Sequence, residues 1–522
     1  MFYILQGKKM WKSNMKKMKW FVAFIVSSFV FGAYIQEDVA RIVANSIYVE
    51  NEKLHNGNIF AVSHIEIIKS EELNLIYIFH LDPVGFIMVP ANNLAVPNLA
   101  FSFKNSFKSD DMPSNLNALI NNYKLELNEL ASNPVYVQGI EEQWNYYLSG
   151  DVQPSRDRDV SPLLSAEFDQ GGSWNNGIQS AIGFNGPVGC VSVAMCQVMH
   201  YWKYPANGIG SNYYTENDFG YIEVDFEDAF YDFDNMAATY ATAASQLLLF
   251  HAGVSVNMDY DYSGSGAWVT GGYPSAFYSM ENFFAYDSDI SFEWKSNHST
   301  NEYRDLIKNE LNWNRPIISQ GYDNGGYGGH AWNIDGYSGN NLHCNWGWGG
   351  YSNGYYNLTT MGGFPNDQAV IIGILPQMAE LIALFEYDVN DLTVNFIDLS
   401  EMINEIDLES WYWDFGDGNT SYDTMPSHTY DQGGVYEVTL TVTSIYGVES
   451  LTHSELIQLQ SSMLGDVNFD SMVNILDIVI IANFVLGSDN PSAAEFAASD
   501  LNSDSILNIL DIVILANIIL GE

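Results

Sequence analysis

Near its C-terminal end the chain writes one motif twice. Asp466, Asn468, Asp470, Asn474 and Asp477 stand at positions 1, 3, 5, 9 and 12 of a loop, and Asp500, Asn502, Asp504, Asn508 and Asp511 repeat that spacing 34 residues later. Oxygen donors at these intervals, completed by the backbone carbonyl of Met472 or Ile506, suit a hard cation such as Ca2+. Position 6 holds Ser471 or Ser505 where such loops usually carry glycine, and position 12 holds Asp where Glu is usual. Each loop runs straight into an apolar helical pattern, ILDIVIIANFVLG or ILDIVILANIILG. The expectation is a small all-α calcium-binding module of two loop-plus-helix units. Its helices carry more apolar surface than a free cap leaves uncovered, which favours a protein partner.

At 522 residues the chain exceeds what a single core usually spans, so three or four domains are expected. The formal charge of −45, from 64 acidic against 19 basic residues, excludes binding to nucleic acid or anionic membranes by phosphate neutralisation. Six of the basic residues lie in the first 20 positions and none follows Arg315. That early cluster, with Lys12, Lys16, Lys17 and Lys19 ahead of the apolar run from Trp20 to Tyr34, predicts a signal peptide over residues 1–34. The run is too short for a membrane span, so the mature protein is expected to be secreted and extracellular or attached to a cell surface.

Only three cysteines occur, Cys190, Cys196 and Cys344, which is not a disulfide framework. An odd count in an exported chain points to a reactive thiol. In PVGCVSVAMCQVMHYWKYP, Cys190 follows a glycine and opens a helical apolar pattern that stops at Tyr204-Pro205. A thiol at a helix N-terminus sits at the positive end of the macrodipole, which favours the thiolate. A thiolate nucleophile needs an imidazole, and the imidazole needs an orienting acceptor. GGHAWNIDGY offers His330 as it enters a strand, 140 residues beyond Cys190, and CNWGWGG offers Asn345 and Trp346 on the next strand. Cys196 and Cys344 read as structural, with a disulfide between them left open. His200 and His343 read as structural or exposed.

These strings, with VSVNMDYDYSGSGAW between them, resemble the streptopain family of papain-like cysteine peptidases, and they occur in that family's order. GFIMVPANNLAVPNLAFS, followed by an amphipathic helix around Leu116 to Leu130, resembles the family's inhibitory propeptide. The resemblance implies a two-subdomain α+β catalytic domain over residues 156–376 behind an α+β propeptide over residues 35–155. The polar stretch from Gly150 to Pro162 between them is expected to be an exposed linker and a plausible maturation site. The resemblance also implies that Cys190 attacks the peptide carbonyl, His330 shuttles the proton, Asn345 holds the imidazole and Trp346 shields the pair. Members of the family place a glutamine six residues before the cysteine, whereas this chain has Phe184 there. The oxyanion donor is therefore open among Asn185, Gln170 and Gln179.

WYWDFGDGNTS with VYEVTLTVT resembles the PKD-type immunoglobulin-like β-sandwich, expected over residues 377–461. The terminal repeat, residues 462–522, resembles a type I dockerin, which implies a cohesin-bearing partner and two bound Ca2+ ions. The expectation is thus a secreted, self-processing cysteine endopeptidase acting on protein substrates without a catalytic cofactor. The competing reading is a catalytically inactive adhesion or scaffold protein that keeps the peptidase shape.

Overall fold

The computed structural model describes residues 34–521 apart from 56–57, 111, 113, 154–158, 323–328, 358–365, 378–380, 391, 401–407, 447, 460–462 and 471. The expected signal peptide lies, but for Tyr34, outside the described residues. The chain divides into two compact units, Met1–Gln377 and Met378–Glu522. Among the described residues no helix is long and apolar enough to cross a membrane.

The first unit is organised by one antiparallel sheet of ten strands. In chain order they are β1 (Ala61–Ser70), β2 (Leu73–Asp82), β3 (Phe86–Pro90), β4 (Ala100–Ser102), β5 (Ser291–Trp294), β6 (Ile317–Tyr322), β7 (Gly329–Ser338), β8 (Asn341–Asn345), β9 (Gly354–Asn357) and β10 (Asn366–Ile372). Their spatial order is β1-β2-β3-β4-β9-β8-β7-β6-β10-β5. The join between β4 and β9 pairs Ala100 with Tyr356 and Phe101 with Tyr355. One sheet therefore runs through both the segment expected as propeptide and the segment expected as peptidase. The sequence treats these as separate modules, and the structure fuses them.

Helices cover this sheet. The chief ones are α1 (Glu37–Glu50), α2 (Ser114–Ser132), α3 (Cys190–Trp202), α4 (Ala243–Ser255) and α5 (Thr300–Asn312). β2, β8 and β9 are buried along almost their whole length, so their apolar runs do not alternate. One core packs α3 and α4 against Ile318, Ala331 and Ile371 of the sheet. A second joins Leu119, Ile120 and Tyr123 of α2 to Ile307 and Leu311 of α5 through Trp332, Ile334, Trp346 and Tyr356. That second core crosses the same boundary as the β4/β9 join. A third packs α1 on β2 and β3.

The stretch from Gly150 to Pro162 departs from the expected free linker. Val152 is buried, and Val160 exchanges backbone hydrogen bonds with Tyr337 of β7 at 3.1 and 2.9 Å. Leu163 N–H bonds to the Asp335 carbonyl at 2.8 Å. Gly336 makes room for this crossing, because a Cβ there would lie 2.7 Å from the Val160 carbonyl oxygen. The polar composition concealed a backbone pairing.

The second unit begins with a β-sandwich. Its sheets are Phe385–Asn390, Thr393–Asp398 and Ser427–Thr429 on one side, and Thr420–Ser421, Leu408–Asp414, Gly434–Ser444 and His453–Leu459 on the other. Phe385, Phe396, Trp413, Tyr430, Val438 and Leu440 fill the space between them. Alternation in Gly434–Ser444 is what aims Val438, Leu440 and Val442 inward. After it come α6 (Ile475–Val485) and α7 (Ile509–Leu520), which pack together through Ile481 and Leu515.

Candidate active site

Cys190 is the first residue of α3, and Gly189 before it has φ +104°. The backbone angle demands glycine there, and a Cβ would also press on the end of the Met258 side chain, with Sδ and Cε at 2.7 Å. Val191 to Met199 are all buried, which fixes the helix and holds its N-terminal thiol in place. The Ala331 N–H points at Cys190 Sγ from 3.4 Å. His330, the neighbour of Ala331 on β7, pairs with Gly321 of β6 and lines one cleft together with Cys190, Asn257, Asp259, Trp268, Gln320 and Tyr322.

Burial pushes Cys190 above the ordinary thiol range, opposed by the backbone N–H groups of Ala331, Val191 and Cys190 itself. Desolvation of the charged form outweighs those backbone N–H groups here. Cys196 and Cys344 are both buried, and burial pushes both thiols well up. All three cysteines are free, so the disulfide left open in the sequence is not formed.

Asn345 is 2% exposed and its amide is fully engaged. Its Nδ2 donates to the Ala166 carbonyl at 2.8 Å, and its Oδ1 accepts from Gln197 Nε2 at 3.1 Å and from Gly347 N–H at 3.3 Å. Asn345 pairs in register with Asn333, three residues along β7 from His330. Trp346 is buried against Trp332 and Tyr356, with ring centroids 5.7 and 5.2 Å away.

Of the three candidate oxyanion amides, Gln170 is buried and its carbonyl accepts the Val188 N–H at 2.8 Å, two residues before the thiol. Asn185 accepts from Asn175 Nδ2 at 3.4 Å. Gln179 lies on an exposed position of the short helix Asn176–Ile182. Phe184 is fully buried against Phe219, Tyr260 and Tyr262, and a Cβ at Gly186 would strike its ring at 2.3 Å. The position where the family carries glutamine is thus a packing position in this chain.

Sequence reasoning missed Gln197, which is wholly buried and ties α3 to β7 and β8. Its Nε2 also donates to the Ala166 carbonyl at 3.0 Å, and its Oε1 accepts from Asn333 Nδ2 at 2.8 Å. A lone glutamine inside an otherwise apolar helix pattern was the available signal. His343, read as structural or exposed, is buried and bonded through Nδ1 to Asp335 at 2.6 Å. His200 bonds to the Met236 carbonyl at 3.1 Å.

In the terminal repeat, Asp466, Asp477, Asp500 and Asp511 are buried. Asp470 N–H bonds to Asp466 Oδ1 and Asp504 N–H to Asp500 Oδ1, both at 3.1 Å. Asn474 and Asn508 cap α6 and α7, and their Nδ2 groups reach the Met472 and Ile506 carbonyls at 3.1 Å. Among the described residues no three His, Cys, Asp or Glu side chains converge as a metal cluster. Any cation in these loops would therefore depend on asparagine and carbonyl oxygens as well as carboxylates.

A thiol opening a buried helix, with an imidazole on the facing strand of the same cleft, defines the class as a cysteine peptidase of papain-like arrangement. Residues 168–356 match the Peptidase C10 family, residues 32–127 the Spi protease inhibitor, residues 388–458 the PKD domain and residues 464–520 the Dockerin type I domain. Streptopain of Streptococcus pyogenes is 27% identical over 362 residues, covering 60% of this chain and 85% of the relative. The thiol protease/hemagglutinin PrtT of Porphyromonas gingivalis is 27% identical over 333 residues, which is 57% of this chain but 36% of that protein. The solved interpain A cysteine protease of Prevotella intermedia is 30% identical, with 42% of this chain covering 95% of that one at a TM-score of 0.38. The chain is a cysteine peptidase with a Peptidase C10 domain over residues 168–356, together with a propeptide, a PKD domain and a type I dockerin.

Proposed function

We propose that the chain is the precursor of an exported endopeptidase in which Cys190 is the nucleophile and His330 its acid-base partner. The observation that carries this reading is their shared cleft, with Cys190 at the head of α3 and His330 beside the Ala331 N–H that meets the sulfur. The thiolate adds to the substrate carbonyl, the imidazolium protonates the departing amine, and water then hydrolyses the acyl-enzyme with His330 as base. Of the three candidate amides, Gln170 is the one we propose as side-chain oxyanion donor, since it lies beside the segment leading into Cys190. Replacing it by Ala is expected to lower kcat about 100- to 1000-fold. Trp346 screens the site from water. Asn345 orients the imidazole on this reading, which requires its Oδ1 to exchange the long Gly347 bond for His330.

The precursor form fits a self-processing zymogen with residues 35–155 as inhibitor and 156–376 as enzyme. The shared β4/β9 join and the raised Cys190 thiol both suit an idle state. In the tail, Asp466, Asn468, Asp470, Met472, Asn474 and Asp477, and likewise Asp500, Asn502, Asp504, Ile506, Asn508 and Asp511, would hold one Ca2+ per loop and fix the helix entries. Ile475, Leu476 and Val479 of α6 and Ile509, Leu510 and Val513 of α7 are exposed at half or more of their surface. These two matched apolar strips suit a cohesin-bearing protein that attaches the enzyme to an extracellular assembly.

Casein hydrolysis by the purified precursor, with and without reductant, tests the reading against Cys190→Ala, while mass spectrometry follows loss of the N-terminal segment. Activity and processing should both vanish in the variant. Equal inactivity of both proteins after the propeptide has been removed by other means would favour the scaffold reading.

A further inference from the structure

Cys190 lines one cleft, and the residues just before it line another. This second cleft, of about 320 Å3, has walls that include Gln170, Asn175, Asn185, Pro187, Tyr262 and Trp348. Two of those side chains carry a buried hydrogen-bonding atom with no partner among the described residues, the Oδ1 of Asn175 and the Nε1–H of Trp348. Asn175 as a whole is 2% exposed. The orientation of its amide is fixed. Nδ2 donates to the Phe184 carbonyl at 3.2 Å and to Asn185 Oδ1 at 3.4 Å, and a carbonyl can only accept, so the oxygen is the atom left over. A buried donor or acceptor left unmet costs stability and gives the fold nothing back. One unmet acceptor and one unmet donor, both on side chains that line a single cleft and both covered until its wall shifts, match a group bearing both N–H and C=O, which is an amide.

We propose that this second cleft is a specificity subsite that receives an amide of the substrate. Trp348 Nε1–H donates to the amide oxygen, and Asn175 Oδ1 accepts from the amide nitrogen. The inference rests on the peptidase reading above and extends it to the choice of substrate. The amide comes either from the side chain of an asparagine or glutamine or from a peptide group of the substrate backbone, two sources with the same chemistry. Asn175 and Trp348 are specificity-determining residues here and touch no reacting atom.

The test measures kcat/KM for internally quenched peptides with processed parent enzyme, Trp348→Phe and Asn175→Ala. One series exchanges glutamine for methionine, which has similar length and no amide, at each position flanking the scissile bond. A second series N-methylates each backbone amide in turn. Glutamine should be preferred to methionine by about tenfold or more at one position in the parent, and the ratio should fall towards one in both variants. If N-methylation takes the place of the glutamine effect and is likewise lost in the variants, the source is the backbone. Trp348→Phe keeps an aromatic ring and loses only the N–H with part of the ring system, so it decides the matter should Asn175→Ala melt below the assay temperature. Parent enzyme that cleaves with neither preference, or variants that keep the parental ratios, overturn the subsite and leave the peptidase reading standing. Absence of any cleavage that depends on Cys190 overturns both.

Discussion

Gln197→Leu is the substitution that most directly probes how the thiol helix is fixed to the strands of the site. Gln197 makes three buried hydrogen bonds, to the Ala166 carbonyl at 3.0 Å, Asn345 Oδ1 at 3.1 Å and Asn333 Nδ2 at 2.8 Å. Each such bond contributes about 0.5–1.5 kcal/mol net, so the set amounts to roughly 1.5–4.5 kcal/mol. No partner atom is orphaned by the change. The Ala166 carbonyl keeps Asn345 Nδ2, Asn345 Oδ1 keeps Gly347 N–H, and Asn333 Nδ2 keeps the Ala194 carbonyl at 3.2 Å. Leucine is close in volume and returns part of the loss as apolar burial. The expected cost is therefore about 1–3 kcal/mol, where a substitution that stranded a buried partner would cost more. In a catalytic unit of this size that lowers Tm by roughly 2–4 °C per kcal/mol. Urea unfolding of the full chain in a Cys190→Ala background gives the stability without interference from processing. Casein turnover in the Cys190 form gives the activity, which should fall because Asn345 and β7 lose an anchor to α3. A variant within 0.5 kcal/mol of the parent and equally active would refute the view that this network fixes the helix.

Three further outcomes are expected. Asp335→Ala takes the acceptor from His343 Nδ1 and from the Leu164 N–H in a buried setting and should cost about 1–3 kcal/mol for each stranded group in urea unfolding, with Asp335→Asn milder; equal midpoints for all three proteins would remove the pair from the account. Burial holds the His251 imidazole at about 4 against an ordinary 6.5, so the unfolded chain takes up this proton first. Stability from this group is whole above about pH 6.5 and is lost as the pH falls towards 4, by up to about 3 kcal/mol at 1.36 kcal/mol per pH unit, and His251→Gln should flatten that part of the profile. Calorimetric titration of the metal-free full chain should show two Ca2+ sites, with Asp477→Ala and Asp511→Ala each removing one; two undiminished sites in either variant would show that the loops are not the binders.

Much of the chemistry could be read along the chain because it is written in local strings. Cys190 and the start of its helix follow from a glycine and an apolar helical pattern, and α6 and α7 follow from the apolar helical patterns directly behind the two loops. Apolar strand patterns such as Tyr436 to Val442 also set their own inward faces. What the sequence alone determined is therefore local: which residues start a helix, which face of a strand is apolar, and which side chains carry reactive atoms. Long-range partners were decided only by the tertiary structure, because hydrogen bonds and desolvation depend on what lies across space. Joining β4 to β9 merges two apparent modules into one sheet, and Val160 turns from linker to bridge because β7 offers it a backbone partner. Burial pushes the Cys190 thiol up, and Phe184, Gln170 and Asn175 take their places from packing that no spacing in the chain encodes.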